Sequence, residues 1–333
     1  MSDKTAIEWC DSTWTPLRVR RLDDGKVGVH CEKVSPGCAH CYSETFNRRR
    51  LPNQGTGLDF TKGSRQKVET FVDENILAQP LKWKRPRRIF VCSQTDLFGE
   101  FHADEQIDRV FAVMSFCQEH TFQILTKRAE RMRSYLAGAV KDRSREAACR
   151  LLDAGVNTNG RAMCAAIEGV AWPLPNVHLG VSVEDQQRAD ERIPDLLSTP
   201  AAVRWLSVEP LLGAVDLREY QPFRVKAHPV GDFRGARGIL GGHVDWVVVG
   251  GESGPRARPC DVAWVRGIVE QCRAAKVACF VKQLGSCAVG VWEPEMAHVE
   301  TWRDRIKTDD RKGGDPSEWP ADLRVREFPE AGR

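Results

Sequence analysis

Six short, continuous apolar runs constrain the fold of this chain more than any other feature. They are RRIFVC (87–92), FQILT (122–126), VHLGVSV (177–183), VRWLSV (203–208), VDWVVVG (244–250) and VACFVK (277–282). Short runs rich in β-branched and aromatic residues, without polar alternation, suit strands buried on both faces. Between them lie patterns of helical period: DEQIDRVFAVMSFCQEH (104–120), EDQQRADERIPDLLS (184–198) and DVAWVRGIVEQCRAA (261–275). Strand and helix alternating in this way specify right-handed crossovers and a parallel sheet. With a first strand placed near Val27 to His30, the count reaches about seven, so the expected fold is α/β, a partial or open (β/α) barrel of the TIM type. Residues 1–300 are assigned to this barrel domain, with a helical insertion near 138–176 and an Arg-, Gly- and Pro-rich surface excursion near 218–243. The tail, 301–333, carries Trp319, Leu323 and Val325 in a polar setting and reads as an ordered flap. No internal repeat is visible.

The segment CEKVSPGCAHCY (31–42) places Cys31, Cys38 and Cys41 around a Pro36-Gly37 turn, and the next cysteine is Cys92. A structural zinc site closes its tetrahedron with four protein ligands, whereas a site one ligand short keeps a position open for chemistry. Thiolates select zinc, copper(I) or iron–sulfur clusters. On a cubane [4Fe–4S] cluster three cysteines leave one iron unligated, and that iron can bind the amino and carboxylate groups of S-adenosylmethionine (SAM). An electron passed into the sulfonium then breaks a carbon–sulfur bond and yields a 5′-deoxyadenosyl radical. Zinc held by the same thiols with His40 or His30 is the rival, and the sequence leaves both open.

The twelve cysteines are too sparse in a 333-residue chain for the disulfide framework of a small secreted domain. Cys92, Cys117, Cys149, Cys164 and Cys260 read as packed apolar residues. Cys272, Cys279 and Cys287 form a looser set whose spacing suits no compact metal loop. At 41% hydrophobic the chain can bury a large core, and 49 basic against 46 acidic residues leave a net charge of +3, too small to imply nucleic acid by itself. MSDKTAIEWC has no apolar secretory segment, and no run approaches the roughly 18 apolar residues that cross a bilayer. A cytoplasmic location and no membrane association are expected.

In parallel α/β folds, ligands bind outside the carboxyl ends of the strands. Those positions are polar after every run: Ser93, Gln94 and Asp96; Thr126, Lys127 and Arg128; Glu184 and Asp185; Glu209; Gly251, Glu252 and Ser253; Lys282 and Gln283. Helix caps account for some of them. In GGESG (250–254), Gly250 and Gly251 let a ligand approach the backbone, and Glu252 can accept hydrogen bonds from an ammonium or a ribose hydroxyl. A tight turn with a capping glutamate is the alternative. Lys127, Glu209 and Lys282 are candidates for substrate binding or proton transfer, because burial lowers a lysine pKa unless a carboxylate pairs with it. KWKRPRR (82–88), with Trp83 for stacking, and NRRR (47–50) are candidate nucleic-acid contacts, although solvated loops and helix ends are the plainer reading of both. Lys127, Arg128, Arg256 and Arg258 are candidate phosphate ligands.

The cysteine loop, together with IEWCDSTWTP, CSQTDLFGE, LTKR, GVSVEDQ, WLSVEPLLG, GGESGPRARP, FVKQLG and KGGDPSEWPADLRVREFP, resembles the phage-associated three-cysteine-motif proteins. These are an uncharacterised family distantly similar to radical SAM enzymes, and the ordered matches run from about residue 5 to about residue 329. The resemblance implies Cys31, Cys38 and Cys41 as [4Fe–4S] ligands, SAM as cofactor, an external electron donor and a partner protein encoded nearby. Some positions depart from the radical SAM pattern. The first cysteine interval is longer than usual, His40 stands where an aromatic is common, and Tyr42 follows the last cysteine. The glycine-glycine-glutamate that holds the SAM amino group follows a late strand here, which shifts early SAM contacts to Ser93, Gln94 or Asp96. GVSVEDQ is similar to the strand that flanks adenine, implying Val181, Ser182 and Glu184 as neighbours of the nucleoside, with Glu184 and Glu252 helping to bind SAM.

The leading expectation is a radical SAM enzyme that modifies or repairs a nucleic-acid base or nucleotide. The alternative is a zinc-stabilised protein that binds nucleic acid or its partner without catalysis; hydrolysis at an open zinc is a third reading.

Overall fold

A computed structural model describes residues 5–49, 55–153, 167–218, 244–291 and 306–329. Seven strands hydrogen-bond side by side in the order β1 (Ser12–Trp14), β5 (Arg88–Val91), β6 (Thr121–Thr126), β7 (Val177–Ser182), β8 (Val203–Val208), β9 (Trp246–Gly250) and β11 (Ala278–Gln283). This is also their chain order, and it is open at β1 and β11, as in an open (β/α) barrel. The six apolar runs are six of these strands, with ends moved by at most two residues.

The first strand differs from expectation. Val27–Gly28 (β3) does form a strand, but it pairs antiparallel with β2 (Leu17–Arg21), which also pairs antiparallel with β4 (Val68–Val72) in a separate sheet. The place beside β5 belongs to β1, in parallel register with Ser12 opposite Ile89 and Trp14 opposite Val91. Its polar start conceals it in the sequence. Ser12 is nevertheless buried, because its hydroxyl accepts from Arg87 Nη1 at 3.0 Å, and Trp14 is buried with Nε1 donating to the Ile76 carbonyl at 2.8 Å.

The chain divides into two compact units, Met1–Leu179 with Thr199–Ala202, and Gly180–Ser198 with Val203–Arg333. The first contains α1 (Tyr42–Arg48), α2 (Lys62–Arg65), α3 (Glu74–Leu77), α4 (Asp104–Phe116), α5 (Ala129–Leu136) and α6 (Val140–Asp153). One stripe of α4, comprising Ile107, Val110, Phe111 and Met114, is buried, which is why its polar face tolerates Asp104 and Glu105. Of the expected insertion near 138–176, α6 is helical, and 154–166 lie outside the described residues. Cys149 on α6, expected as an isolated packed thiol, is disulfide-bonded.

The second unit contains α7 (Gln186–Leu197), α8 (Val262–Ala275) and a two-residue parallel pair, β10 (Cys260–Asp261) with β12 (Ala288–Val289). Both helices start on an aspartate, with Asp185 accepting from Arg188 N and Asp261 from Ala263 N, each at 2.8 Å. Trp205 and Trp246 stack in the core with ring centres 5.2 Å apart, and Trp246 lies 5.6 Å from Phe328 of the tail. The tail runs antiparallel along β11, through Val281 N to the Val325 carbonyl and Glu327 N to the Cys279 carbonyl. It thereby covers backbone groups that an edge strand would expose. Trp319 and Leu323 are buried and Val325 half-buried; the excursion at 219–243 lies outside the described residues. No helix among the described residues is long and apolar enough to cross a membrane.

Candidate functional site

In the first unit the cysteine loop leaves β3 in extended backbone. Cys31 donates to the Glu32 carbonyl at 3.8 Å, and a short 3-10 helix, Pro36–Cys38, turns the chain so that Ser35 Oγ lies 3.8 Å from Cys38 Sγ. Cys41 immediately precedes α1, and all three thiols are half-buried. Burial pushes the Cys31 thiol up to about 12; Asp96, Cys41 and Cys38 add to the rise and Arg128 opposes it. Burial likewise raises Cys41, against the backbone amides of Glu44 and Ser43 at the start of α1. The sulfurs are therefore close enough to act on one another. Among the described residues, however, no three His, Cys, Asp or Glu side chains are gathered around a point that could hold a metal ion. A zinc tetrahedron with bonds of about 2.3 Å needs its sulfurs about 3.8 Å apart, whereas a cubane spreads three thiolates over three separate irons.

Four ties hold this loop to the strand ends. The Tyr42 hydroxyl donates to the Ser93 carbonyl, and Ser43 Oγ to the Gln94 carbonyl at 2.6 Å. Thr95 Oγ1 donates to the His30 carbonyl at 2.5 Å, and Arg128 Nη2 to the Glu32 carbonyl at 3.2 Å. Ser93 and Gln94 thus act through their backbone. Asp96 is the hub: it accepts from Thr126 Oγ1 at 2.6 Å, Lys127 N at 3.0 Å, Phe98 N at 3.1 Å and Arg128 Nη1 at 3.0 Å. Arg128 also donates to Glu100 at 2.6 Å. Burial works against its charge, yet Asp96, Cys31 and Glu100 raise its pKa above the usual value. A residue flagged as a phosphate ligand is thus the clamp that joins the β5 loop, the β6 loop and the cysteine loop. The two segments were recognisable as polar strand ends, but nothing in their spacing announced the pairing.

Two imidazoles here are buried: His30, which the sequence reading offered as a zinc ligand, and His102, which it left out. Burial pushes His30 down to about 4 and His102 down to about 3, so both are neutral, and His102 Nε2 stands 3.4 Å from Thr95 Oγ1.

In the second unit Glu184, Glu209 and Glu252 each have a cationic partner, and Asp185 caps α7. Fully buried Glu184 pairs with Arg192 at 3.1 Å, and Arg192 also donates to the Ser182 carbonyl at 2.8 Å. Glu252 takes both Nε and Nη2 of Arg258, at 2.9 and 2.6 Å, together with the Arg258 amide. Glu209 meets Lys282 Nζ at 2.7 Å and Gln283 Nε2 at 3.3 Å. The glycines of GGESG make room for the chain itself. A Cβ on Gly251 would stand 2.2 Å from the Leu284 carbonyl oxygen, and one on Gly250 3.0 Å from that of Gln283. Ser253 follows them, and the Gly254 amide donates to Ser286 Oγ at 2.9 Å. Val181 and Ser182 are buried on β7, where Gly180 passes Trp205. The looser cysteine set separates, because Cys272 hydrogen-bonds Cys279 while Cys287 acts on Cys260.

A family model described as a protein of unknown function, DUF5131, matches residues 4–313. The chain belongs to the DUF5131 family. No curated protein and no solved structure matches it. The matched span takes in the cysteine loop and every rim residue named above, so the whole arrangement of this DUF5131 chain lies within the family's extent.

Of the two basic clusters, KWKRPRR has its aromatic engaged within the chain: the Arg87 guanidinium lies 4.7 Å over the Trp83 ring, and His120 is 5.9 Å away. In NRRR, Asn47 is buried while Arg48, the last residue of α1, and Arg49, which caps it, are exposed; residue 50 lies outside the described residues.

Proposed function

We propose that this chain is a radical SAM enzyme of the three-cysteine-motif type, with Cys31, Cys38 and Cys41 as thiolate ligands of a [4Fe–4S] cluster. The observation that carries the reading is three half-buried thiols on one loop, which is tied to the β5 and β6 strand-end loops through Tyr42, Ser43, Thr95 and Arg128. Three thiols without a fourth cysteine nearby are the donor set of a cubane that keeps one iron open. Bound there, the cluster would supply the electron for reductive cleavage of SAM to methionine and a 5′-deoxyadenosyl radical.

The chain's own residues hold and shield. Tyr42, Ser43 and Arg128 fix the loop. Asp96 orients Arg128 and the Lys127 backbone, and the Lys127 side chain is the candidate substrate contact of the first unit. In the second unit Glu252 is the candidate for the SAM ammonium, by exchange with Arg258, whose side chain is 28% exposed. Fully buried Glu184 orders Arg192 and the strand end, with Val181 and Ser182 beside it. The Lys282–Glu209 pair is a candidate for proton transfer, since either partner can take up the proton the other releases. A nucleic-acid base or nucleotide as substrate, a nearby-encoded protein partner and an external electron donor complete the proposal.

Anaerobic purification with iron and sulfide reconstitution tests it. The expected product is brown, contains about four irons per chain as a cubane requires, and releases 5′-deoxyadenosine from SAM on reduction. Cys38→Ala should abolish both colour and cleavage; Glu252→Ala should keep the colour and weaken SAM binding. A colourless protein holding one zinc per chain after reconstitution would replace this reading with the zinc-stabilised binder.

A further inference from the structure

Helix α1, directly after the cysteine loop, is amphipathic the wrong way round. Its inward face is polar: Ser43, Glu44 and Asn47 are buried. Each is satisfied there, Ser43 by the Gln94 carbonyl, Glu44 by the Phe60 amide at 2.9 Å and by Lys33 at 2.8 Å, and Asn47 by the Thr56 amide at 3.1 Å and the Leu58 carbonyl at 2.9 Å. Its outward face carries Tyr42 and Phe46, 50% and 46% exposed, with rings in edge contact at 6.1 Å. Among the described residues four large apolar side chains are exposed to this degree, and three of them, Val34, Tyr42 and Phe46, belong to this loop and helix. The helix docks through polar groups, Tyr42 by its hydroxyl to the Ser93 carbonyl, so the exposed ring faces of Tyr42 and Phe46 add little to its packing; exposed apolar side chains grouped in this way suit a binding surface.

The rim of the patch identifies the ligand's charge. Arg48 and Arg49 are exposed, and the Arg49 guanidinium lies 5.6 Å over the Phe46 ring. The acidic groups at hand are already engaged: Glu44 by Lys33, and Asp59, which also feels Arg48, by Ser64 and Thr61. Flat aromatic faces interleaved with arginines suit a ligand that alternates flat π-faces with anionic groups. We infer that the outward face of α1 is a stacking platform for single-stranded nucleic acid, with a base on Phe46 and phosphates on Arg48 and Arg49. A duplex keeps its bases stacked on one another and offers this surface only phosphates. The inference deepens the proposed function by naming the polymer bound beside the cysteine loop, and it rests on that reading for its relevance to catalysis but not for binding.

Fluorescence anisotropy of labelled oligothymidylate and oligouridylate, with cluster-free full-length protein at several salt concentrations, reads the binding apart from any cluster. One stacked base is worth about 1.4 kcal/mol, so Phe46→Ala should weaken binding about tenfold, and Phe46→Leu, which keeps apolar bulk without a ring face, should weaken it too. Arg48→Ala and Arg49→Ala should each lower the slope of log affinity against log salt by about one. The two oligonucleotides separate a DNA from an RNA ligand. The inference is overturned if neither single strand binds at low salt, if duplex binds as well as single strand, or if Phe46→Ala or Phe46→Leu, with unchanged circular dichroism, binds like the parent. It is also overturned if sedimentation shows a dimer that Phe46→Ala dissolves, since the patch would then belong to a second copy of the chain.

Discussion

Replacing Asp96 by alanine would remove the acceptor on which the β5 and β6 loops converge. Its partner Arg128 keeps only 4% of its side-chain surface exposed, and Asp96 only 8%. Loss of one member of a buried ion pair costs about 3–5 kcal/mol, chiefly because the other charge stays desolvated without its counterion. Arg128 would still have Glu100 at 2.6 Å, but that carboxylate is 63% exposed, where an ion pair is worth at most about 1 kcal/mol. The Thr126 hydroxyl and the Lys127 and Phe98 amides lose an acceptor as well, so a net loss of about 3 kcal/mol is expected. With a urea slope of about 3 kcal/mol/M, the midpoint followed by tryptophan fluorescence should fall by about 1 M.

Two companions separate charge burial from generic damage. Glu100→Ala should shift the midpoint by a third of that or less. In Asp96→Ala/Arg128→Met the stranded charge is gone, and at least about 1 kcal/mol should return relative to Asp96→Ala alone. An Asp96→Ala loss below about 1 kcal/mol, or a double variant no more stable than the single one, would show that Arg128 reaches water and that the clamp does not exist as described.

Other consequences concern pH, packing and thiol reactivity. The His102 imidazole titrates near 6.5 when unfolded and at about 3 in the fold, so between those values the unfolded chain binds the extra proton. Stability from this group is therefore lost as pH falls below about 6.5, by about 1.4 kcal/mol per pH unit, and His102→Gln should flatten the stability–pH curve by that amount between pH 6 and 4; an unchanged acid slope would refute it. In Gly180→Ala the new Cβ meets the fully buried Trp205 ring at 2.4 Å, which predicts a loss of about 1–3 kcal/mol by thermal unfolding. A neutral result would mean that the indole can shift. With Cys31 pushed up to about 12, cluster-free protein at pH 8 should alkylate this thiol on the order of a hundredfold more slowly than an ordinary cysteine of pKa about 8.5. Mass-resolved iodoacetamide kinetics reports the rate, and labelling at the speed of an ordinary thiol would contradict the burial.

What the sequence made legible follows from which interactions are local. The six apolar runs were readable because a strand buried on both faces must be apolar throughout, a property of the run itself. The strand Ser12–Trp14 was not, since its burial depends on Arg87 reaching Ser12 across 75 residues. The rim shows the same division. Glu184, Glu209 and Glu252 were visible as carboxylates at strand ends, but Arg192, Lys282 and Arg258 became their counterions only through folding. Gly251 advertised an absent side chain without saying what fills the space, and its filler is the Leu284 carbonyl.

The cysteine loop lies between these extremes, and it carries the functional reading. Its spacing fixes which sulfurs can share a site, because a short loop with one turn cannot send them far apart. Their separation depends on ties the loop does not encode, from Tyr42, Ser43, Thr95 and Arg128. Four separate anchors hold the segment, two on its own carbonyls at His30 and Glu32 and two from the Tyr42 and Ser43 side chains to the β5 loop, and none of the four runs through a sulfur. A structural zinc loop achieves the opposite, since there the sulfurs are the anchors and the fold depends on the metal. A loop secured independently of its thiols can instead present them, already ordered, to a group that brings its own chemistry. This distinction predicts that Cys38→Ala will leave thermal stability of the cluster-free protein within about 0.5 kcal/mol of the parent, as for substitutions outside packed or paired positions. A large destabilisation would mean that the thiols build the loop, and would favour the structural zinc.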